Sequence, residues 1–240
     1  NRVGECRTGR VGIPAASDTS VLQEVKVPDP ELWSVDAPSL YRAVSTVRIG
    51  GRTVDRYETP FGIRFMRFDA DQGFFLNGEP LKILGVCLHH DLGCLGTAIN
   101  RRALERQLEI LKEMGCNAIR TSHNPPAPEL LELCDRMGFL VQDEAFDMWR
   151  KRKSEYDYSR DFPEWYERDL TDHILRDRNH PSVFMWSIGN EVPTQCSPVG
   201  YKVAKFLQDI CHREDPTRPV TCGMDQVSCV LANGFAAMID

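Results

Sequence analysis

The sequence predicts an α/β protein in which the N-terminal half of a (β/α)8 barrel, residues 66–240, follows part of an antiparallel β-sandwich, residues 1–65. Before residue 65, runs of β-branched residues broken by Pro and Gly-Gly turns are typical of antiparallel strands. After residue 80, short apolar strands alternate with amphipathic helices, which indicates a parallel sheet covered by helices. Polar residues gather where successive strands end, as on the active face of a barrel.

The sandwich part contains two predicted strand regions. Residues 21–27 alternate between apolar and polar side chains, and Pro28-Asp29-Pro30 ends this strand. A second strand covers residues 40–49, and the turn Gly50-Gly51 returns the chain along residues 52–58. Since a sandwich of this kind usually needs about 100 residues, we expect the sequence to be a piece of a longer chain that lacks the beginning of this domain.

The barrel part begins with a hairpin whose Asn77-Gly78 turn joins residues 74–76 to residues 81–84. A strand at 83–87 follows, and then a helix that Asn100 caps and Gly115 ends. The remaining predicted elements are strands at 118–120, 139–142, 183–188 and 219–222, and helices near 128–137, 166–174 and 199–210.

These alternating units alone allow either a doubly wound sheet or a barrel. A dinucleotide-binding sheet needs a glycine-rich turn after its first strand, and residues 85–89 do not supply one. The polar strand ends therefore favour the barrel, of which residues 66–240 supply about strands 1 to 5, because a whole barrel takes about 250 residues. An incomplete barrel has an open edge, so we expect self-association through that edge.

The composition excludes several classes of partner. Against 35 acidic residues the chain has 29 basic ones, a net charge of −6, and no basic stripe for a nucleic acid or an anionic membrane. No apolar run approaches the roughly 20 residues that span a bilayer. The nine cysteines are odd in number and irregularly spaced, so we expect mostly reduced core residues instead of a disulfide framework or a zinc site.

The strongest candidate for chemistry is the run from Trp186 to Glu191, WSIGNE. A buried strand ends in Gly189, where the backbone is expected to turn, and then presents the amide of Asn190 beside the carboxyl of Glu191. A carboxylic acid against an aromatic wall such as Trp186 is suited to donating a proton near neutral pH. The alternative is that Glu191 is an ordinary surface charge at the start of the next helix.

Four motifs resemble signatures of glycoside hydrolase family 2, the family of β-galactosidases, β-glucuronidases and β-mannosidases. Residues 177–191, DRNHPSVFMWSIGNE, resemble the family's acid/base signature. Residues 117–125, NAIRTSHNP, resemble its second signature, although Asn124 stands where the family usually has Tyr. The shorter matches are FGIR at 61–64 and NGEP at 77–80, and all four occur in the family's order.

The resemblance implies a multi-domain enzyme with a jelly roll, an immunoglobulin-like sandwich and a TIM barrel. It implies a retaining glycosidase, most simply a β-galactosidase, in which Glu191 is the general acid/base and Asn190 contacts the 2-hydroxyl of the sugar. His89 and His123 match the substrate-contacting histidines. Arg120 and Trp186 are also predicted to be substrate-binding residues, and Arg120, as a bidentate donor, is expected to hold carboxylates in place inside the site. The family's nucleophile matches no residue of this chain, so we expect the chain alone to be inactive. No organic cofactor is implied.

The metal chemistry of the family is not expected here. Galactosidases with a magnesium site have a Glu and a His in the loop after barrel strand 3, where this chain has Asp147 and Trp149. The run His89-His90-Asp91 invites a zinc hypothesis, but neighbours on a strand end point to opposite sides. The alternatives that stay open are β-glucuronidase or β-mannosidase specificity, and a non-catalytic carbohydrate-binding or interaction module. The sequence leaves the cellular compartment open.

Overall fold

The computed structural model describes residues 2–240, in two units that divide after Glu31. The described residues of the first unit, 2–31, contain neither helix nor strand, so the strand predicted at 21–27 is wrong. Leu22 is 90% exposed. Apolar alternation produces a strand only when a neighbouring strand pairs with it, and no strand is described in this unit.

The second unit begins with two antiparallel arrangements. Strands β1 (Tyr41–Ile49) and β2 (Arg52–Phe61) form the predicted hairpin, and both turn glycines, Gly50 and Gly51, have positive φ. Strands β3 (Met66–Asp69), β4 (Gly73–Leu76) and β5 (Glu79–Pro80) form a small sheet. The turn at Asn77-Gly78 is confirmed by positive φ at both residues, but the returning strand is only Glu79–Pro80 and does not reach residues 81–84.

A five-stranded parallel sheet follows, in which the strands lie in the order in which they occur in the chain. The strands are β6 (Gly85–His89), β7 (Ala118–Ser122), β8 (Leu140–Glu144), β9 (Val183–Asn190) and β10 (Val220–Gly223). The helices are α1 (Arg101–Glu113), α2 (Pro128–Met137), α3 (Phe162–Asp177), α4 (Gly200–Glu214) and α5 (Val227–Ala232). Sequential order without reversal is the arrangement of a barrel and differs from that of a doubly wound sheet.

Local signals set the helix ends as predicted. The side chain of Asn100 accepts a hydrogen bond from the backbone N of Ala103 at 3.0 Å. Gly115 and Gly138 follow α1 and α2 with positive φ. No described helix combines the length and the apolar composition that crossing a membrane requires.

The main core lies between the parallel sheet and its helices, where Leu108, Leu131, Ile174 and Leu207 are almost fully buried. A second cluster joins the small antiparallel sheet to the first residues of the parallel strands. Its buried members are Trp33, Val35, Phe74, Leu76, Ala118, Leu140 and Phe184. Apolar side chains therefore cover the end of the parallel sheet at which the strands begin. The polar side chains lie at the other end, where the strands finish.

The prediction for the cysteines is partly wrong. Cys196 and Cys229 form a disulfide, with their Cα atoms 5.3 Å apart. Of the seven free cysteines only Cys134, Cys211 and Cys222 are buried. The pairing was not predictable because the two partners lie 33 residues apart in an irregular set of nine.

Candidate active site

The polar residues at the strand ends meet through one buried carboxylate. Glu144, the last residue of β8, has a fully buried side chain. Its Oε2 accepts hydrogen bonds from Nε and Nη2 of Arg120 at 3.0 and 2.7 Å, and from the hydroxyl of Ser187 at 2.6 Å. Its Oε1 lies 2.6 Å from Nδ1 of His123. A buried charge is tolerated when it is paired in this way, and here Glu144 ties β7, β8 and β9 together.

The same arginine fixes the amide of Asn190, the last residue of β9. Oδ1 of Asn190 accepts from Nη2 of Arg120 at 2.8 Å, and Nδ2 donates to Oδ1 of Asp147 at 2.9 Å. Because oxygen and nitrogen have different partners, the amide has one orientation. One lone pair and one N–H remain for a ligand such as a sugar hydroxyl.

Glu191 follows directly and is exposed. Its backbone N donates to the carbonyl of Gly223 at 2.7 Å, and its φ is +43°, in the left-handed region that non-glycine residues rarely adopt. The backbone therefore turns at Glu191, and the prediction that it turns at Gly189 is wrong. Gly189 instead lets strand β9 pack closely against Trp149 and Cys222, because a Cβ at this position would lie 3.1 Å from Nε1 of Trp149 and 3.2 Å from Sγ of Cys222.

The structure contradicts the placement of Trp186 in the site. Its side chain is 1% exposed, its indole N–H donates to Asp215 at 3.0 Å, and its ring meets His173 of α3 edge to face. Trp186 therefore lies in the core between sheet and helices and provides no wall beside Glu191. Five residues of a strand span about 16 Å, so nearness in the motif does not make the two side chains neighbours.

The two predicted histidines do come together. His89 ends β6, His123 follows β7, and their ring centroids are 5.2 Å apart in an edge-to-face arrangement. His89 is exposed, whereas His123 is half-buried against Glu144. A cavity of about 540 Å³ lies between His123, the loop after β8 and helix α3, and its volume is in the range of small-molecule sites; His89 does not line it.

The residues at the family's magnesium position do not fit a metal ion. The ammonium of Lys153 lies 2.7 Å from Oδ1 of Asp147 and 2.6 Å from the carbonyl of Asn190. Burial opposes ionisation of Asp147, but hydrogen bonds from Lys153 and Asn190 outweigh it and lower the pKa of this carboxyl. Trp149 points its indole N–H at the carbonyl of Ile188, at 2.8 Å, and has no ligand atom to offer.

A second group of potential metal ligands is buried behind the site. Asp143, His173 and Asp177 have ligand atoms within 4.8 Å of one another. His173 Nε2 lies 2.9 Å from Asp143, and Arg176 bonds both oxygens of Asp177 at 2.7 and 2.6 Å. With His173 protonated, two cations balance two carboxylates, so this cluster satisfies its charges without an ion.

Several residues of the site had no assigned role in the sequence analysis. Glu144 was identifiable as a polar strand end, and Ser187 as an inward residue of an alternating strand, but their contact depends on the register between β8 and β9. Lys153 carried no signal, since it is one of four consecutive basic residues, 150–153. Gly223 is recognisable only in three dimensions, because a Cβ there would lie 2.7 Å from Nη2 of Arg120.

Two family models match the chain. The model described as glycosyl hydrolases family 2, TIM barrel domain, matches residues 69–239, and the model described as glycosyl hydrolases family 2 matches residues 4–64. Together they cover both the predicted sandwich part and the predicted barrel part.

Curated relatives and solved structures agree with these matches. The β-galactosidase BoGH2A of Bacteroides ovatus is 53% identical over 88% of this chain and 29% of that protein. A putative β-glucuronidase of Formosa agariphila is 42% identical over 87% of this chain and 19% of that protein. The structure of a family 2 member from Bacteroides cellulosilyticus superposes with a TM-score of 0.86 at 44% identity, over 90% of this chain and 28% of that one. The chain thus spans less than a third of the length of these relatives.

Proposed function

The chain belongs to glycoside hydrolase family 2, and from this premise we propose that the protein containing it is a retaining β-glycosidase of the β-galactosidase type. The fold agrees with the family: part of an immunoglobulin-like domain precedes the first half of a TIM barrel. The observation that carries the proposal is the placement of Asn190 and Glu191 at the end of β9, the fourth parallel strand, within the network of Glu144 and Arg120.

In this proposal Glu191 acts as general acid and then as general base. It protonates the leaving oxygen while a second carboxylate attacks the sugar, and it then removes a proton from the water that releases the sugar. The second carboxylate is assigned to a part of the protein outside residues 1–240. Exposure of Glu191 leaves its carboxyl accessible to the glycosidic oxygen.

The remaining residues hold the substrate in this proposal. Asn190, with its amide orientation fixed by Arg120 and Asp147, contacts the 2-hydroxyl of the sugar being cleaved. His89 and His123 contact other hydroxyl groups from the neighbouring strand ends. Arg120 donates hydrogen bonds to both Glu144 and Asn190 and holds them in place, so that these polar groups need not reorganise as the reaction proceeds.

The 53% identity to a β-galactosidase favours galactose over glucuronate as the sugar recognised. The test compares nitrophenyl β-galactoside with nitrophenyl β-glucuronide as substrates of the protein that contains this chain. We expect the galactoside to have the higher kcat/KM, and the β anomer to appear first in the proton NMR spectrum. Preference for the glucuronide would assign the alternative specificity, and initial release of the α anomer would refute retention.

A further inference from the structure

The loop between β8 and α3 reaches the strand end that carries Glu191 through a single lysine. Nζ of Lys153 donates to the backbone carbonyl of Asn190 at 2.6 Å and to Oδ1 of Asp147 at 2.7 Å. The side chain is only 23% exposed, although the residue belongs to a surface loop. Residues 150–153 are all exposed as whole residues, but the two hydrogen bonds show that Lys153 directs its ammonium inward.

The loop holds this lysine by its backbone as well. The backbone N atoms of Lys153 and Ser154 both donate to Oδ2 of Asp157, at 2.6 and 2.8 Å. The other oxygen of Asp157 accepts from Ser159. Burial works against ionisation of Asp157, but these hydrogen bonds prevail and lower its pKa to about 2. The carboxylate therefore stays ionised and anchors the loop at the point where Lys153 leaves it.

Lys153 contacts the peptide group that immediately precedes Glu191. The Asn190 carbonyl belongs to the peptide group that joins Asn190 to Glu191. The N–H of that same group donates to the carbonyl of Gly223 at 2.7 Å. Both ends of one peptide group are thus held, on one side by Lys153 and on the other by β10. This is the peptide that leads into the left-handed φ of +43° at Glu191.

We propose that Lys153 is a positioning residue for Glu191, whose ammonium orients the Asn190–Glu191 peptide and supplies the positive charge between Asp147 and this strand end. The proposal rests on the proposed function, since it assigns a role within the same site. It also makes the site independent of divalent metal, because the ammonium already occupies Oδ1 of Asp147 and supplies a positive charge at that position, and Trp149 adds no ligand. Lys153 acts through the backbone and through Asp147, without touching the reacting atoms.

The test uses the protein that contains this chain, with the substitutions K153A, K153M and K151A. Lys151 is an exposed lysine of the same loop and serves as the matched control. Misplacing a catalytic group by about 1 Å can cost roughly 100-fold in rate, so a loss of about 10–100-fold in kcat is the expected scale. We expect K153A and K153M to show this loss on alkyl β-galactosides, with a smaller loss on nitrophenyl β-galactoside and little change in KM. K151A is expected to match the wild type.

Two further measurements separate positioning from a general loss of structure. Propylamine supplies the atoms that K153A removes, so its addition is expected to restore kcat of K153A while leaving the wild type and K151A unchanged. Wild-type activity is expected to persist in EDTA.

The inference is overturned if the kcat of K153A equals that of K151A. It is also overturned if K153A loses the same factor in kcat with all leaving groups and propylamine does not restore it. A third contradicting result is that EDTA abolishes wild-type activity and Mg²⁺ restores it. Failure of the wild type to cleave any aryl β-glycoside would instead refute the proposed function, so the two failures are distinguishable.

Discussion

Gly223 lies against Arg120 so closely that a Cβ atom on Gly223 would stand 2.7 Å from Nη2 of the guanidinium. The last described parallel strand therefore passes the site without a side chain at this position. Since the same Nη2 bonds Glu144 and Asn190, any atom that displaces Arg120 disturbs the buried carboxylate and the proposed sugar contact together.

The first prediction follows from this contact. We expect G223A to lower kcat/KM on nitrophenyl β-galactoside by about 10–100-fold, because Arg120 and with it Asn190 must shift. The matched control is G9A, since a Cβ on Gly9 meets no atom within 4 Å. Steady-state kinetics of both variants check the prediction, and equal activity of G223A and G9A would show that Arg120 moves without consequence.

The second prediction concerns the charge of Glu144. Its replacement in E144Q leaves Arg120 without its ionic partner and turns an amide N–H₂ toward groups that donate. Breaking a buried ion pair costs about 3–5 kcal/mol of unfolding free energy. The control is E132Q, which breaks the exposed pair of Glu132 with Arg101 and is expected to cost about 0–1 kcal/mol. Urea denaturation of both variants measures the difference in unfolding free energy. Similar losses in E144Q and E132Q would show that burial of the Glu144–Arg120 pair does not increase its contribution to stability.

The third prediction is a pH dependence of stability that arises at His173. Burial disfavours the charged ring, but Asp143 and Asp177 outweigh burial and raise its pKa from 6.5 to about 9. Because the folded-state pKa exceeds the unfolded one, protonation stabilises the fold below pH 6.5, and this contribution is lost as the pH rises through about 9.

The measurement is the thermal denaturation midpoint from pH 6 to pH 9.5, compared between the wild type and H173Q. We expect the wild type to lose more stability across this range than H173Q. The control variant is H212Q, at a histidine whose side chain is 38% exposed, and it should follow the wild type. Equal pH dependence of wild type and H173Q would mean that His173 is not protonated in the fold.

Local chemistry made much of this fold predictable from the sequence. Asn100 begins helix α1 by capping it, and Gly115 ends the helix by adopting a positive φ. Both effects depend only on neighbours in the chain. The order of the parallel strands followed from short apolar runs between helices. Prediction failed at residues 21–27, where alternation has no partner strand in the described unit, and at the disulfide, whose partners are distant in sequence.

The site was predictable in its strand ends but not in the contacts between them. Asn190 and Glu191 were identifiable from one motif, yet the same motif placed Trp186 beside Glu191, and the structure turns this ring into the core. Which face a strand residue takes depends on register and on local irregularity. Lys153 was indistinguishable from its basic neighbours because only the folded loop selects the one that points inward.

The proposed role of Glu191 as general acid/base is tested by the reaction of E191A with added azide. In the protein that contains this chain, loss of a general acid/base should cost about 10²–10⁴-fold on substrates with poor leaving groups. The loss should be much smaller for the first step with activated aryl leaving groups, which depart without a proton. E113A, at an exposed glutamate of α1, is the control. We expect azide to restore turnover of E191A with an activated aryl β-galactoside and to yield the β-galactosyl azide. An α-azide product would reassign Glu191 as the nucleophile, and equal losses for all leaving groups without rescue would contradict any catalytic role.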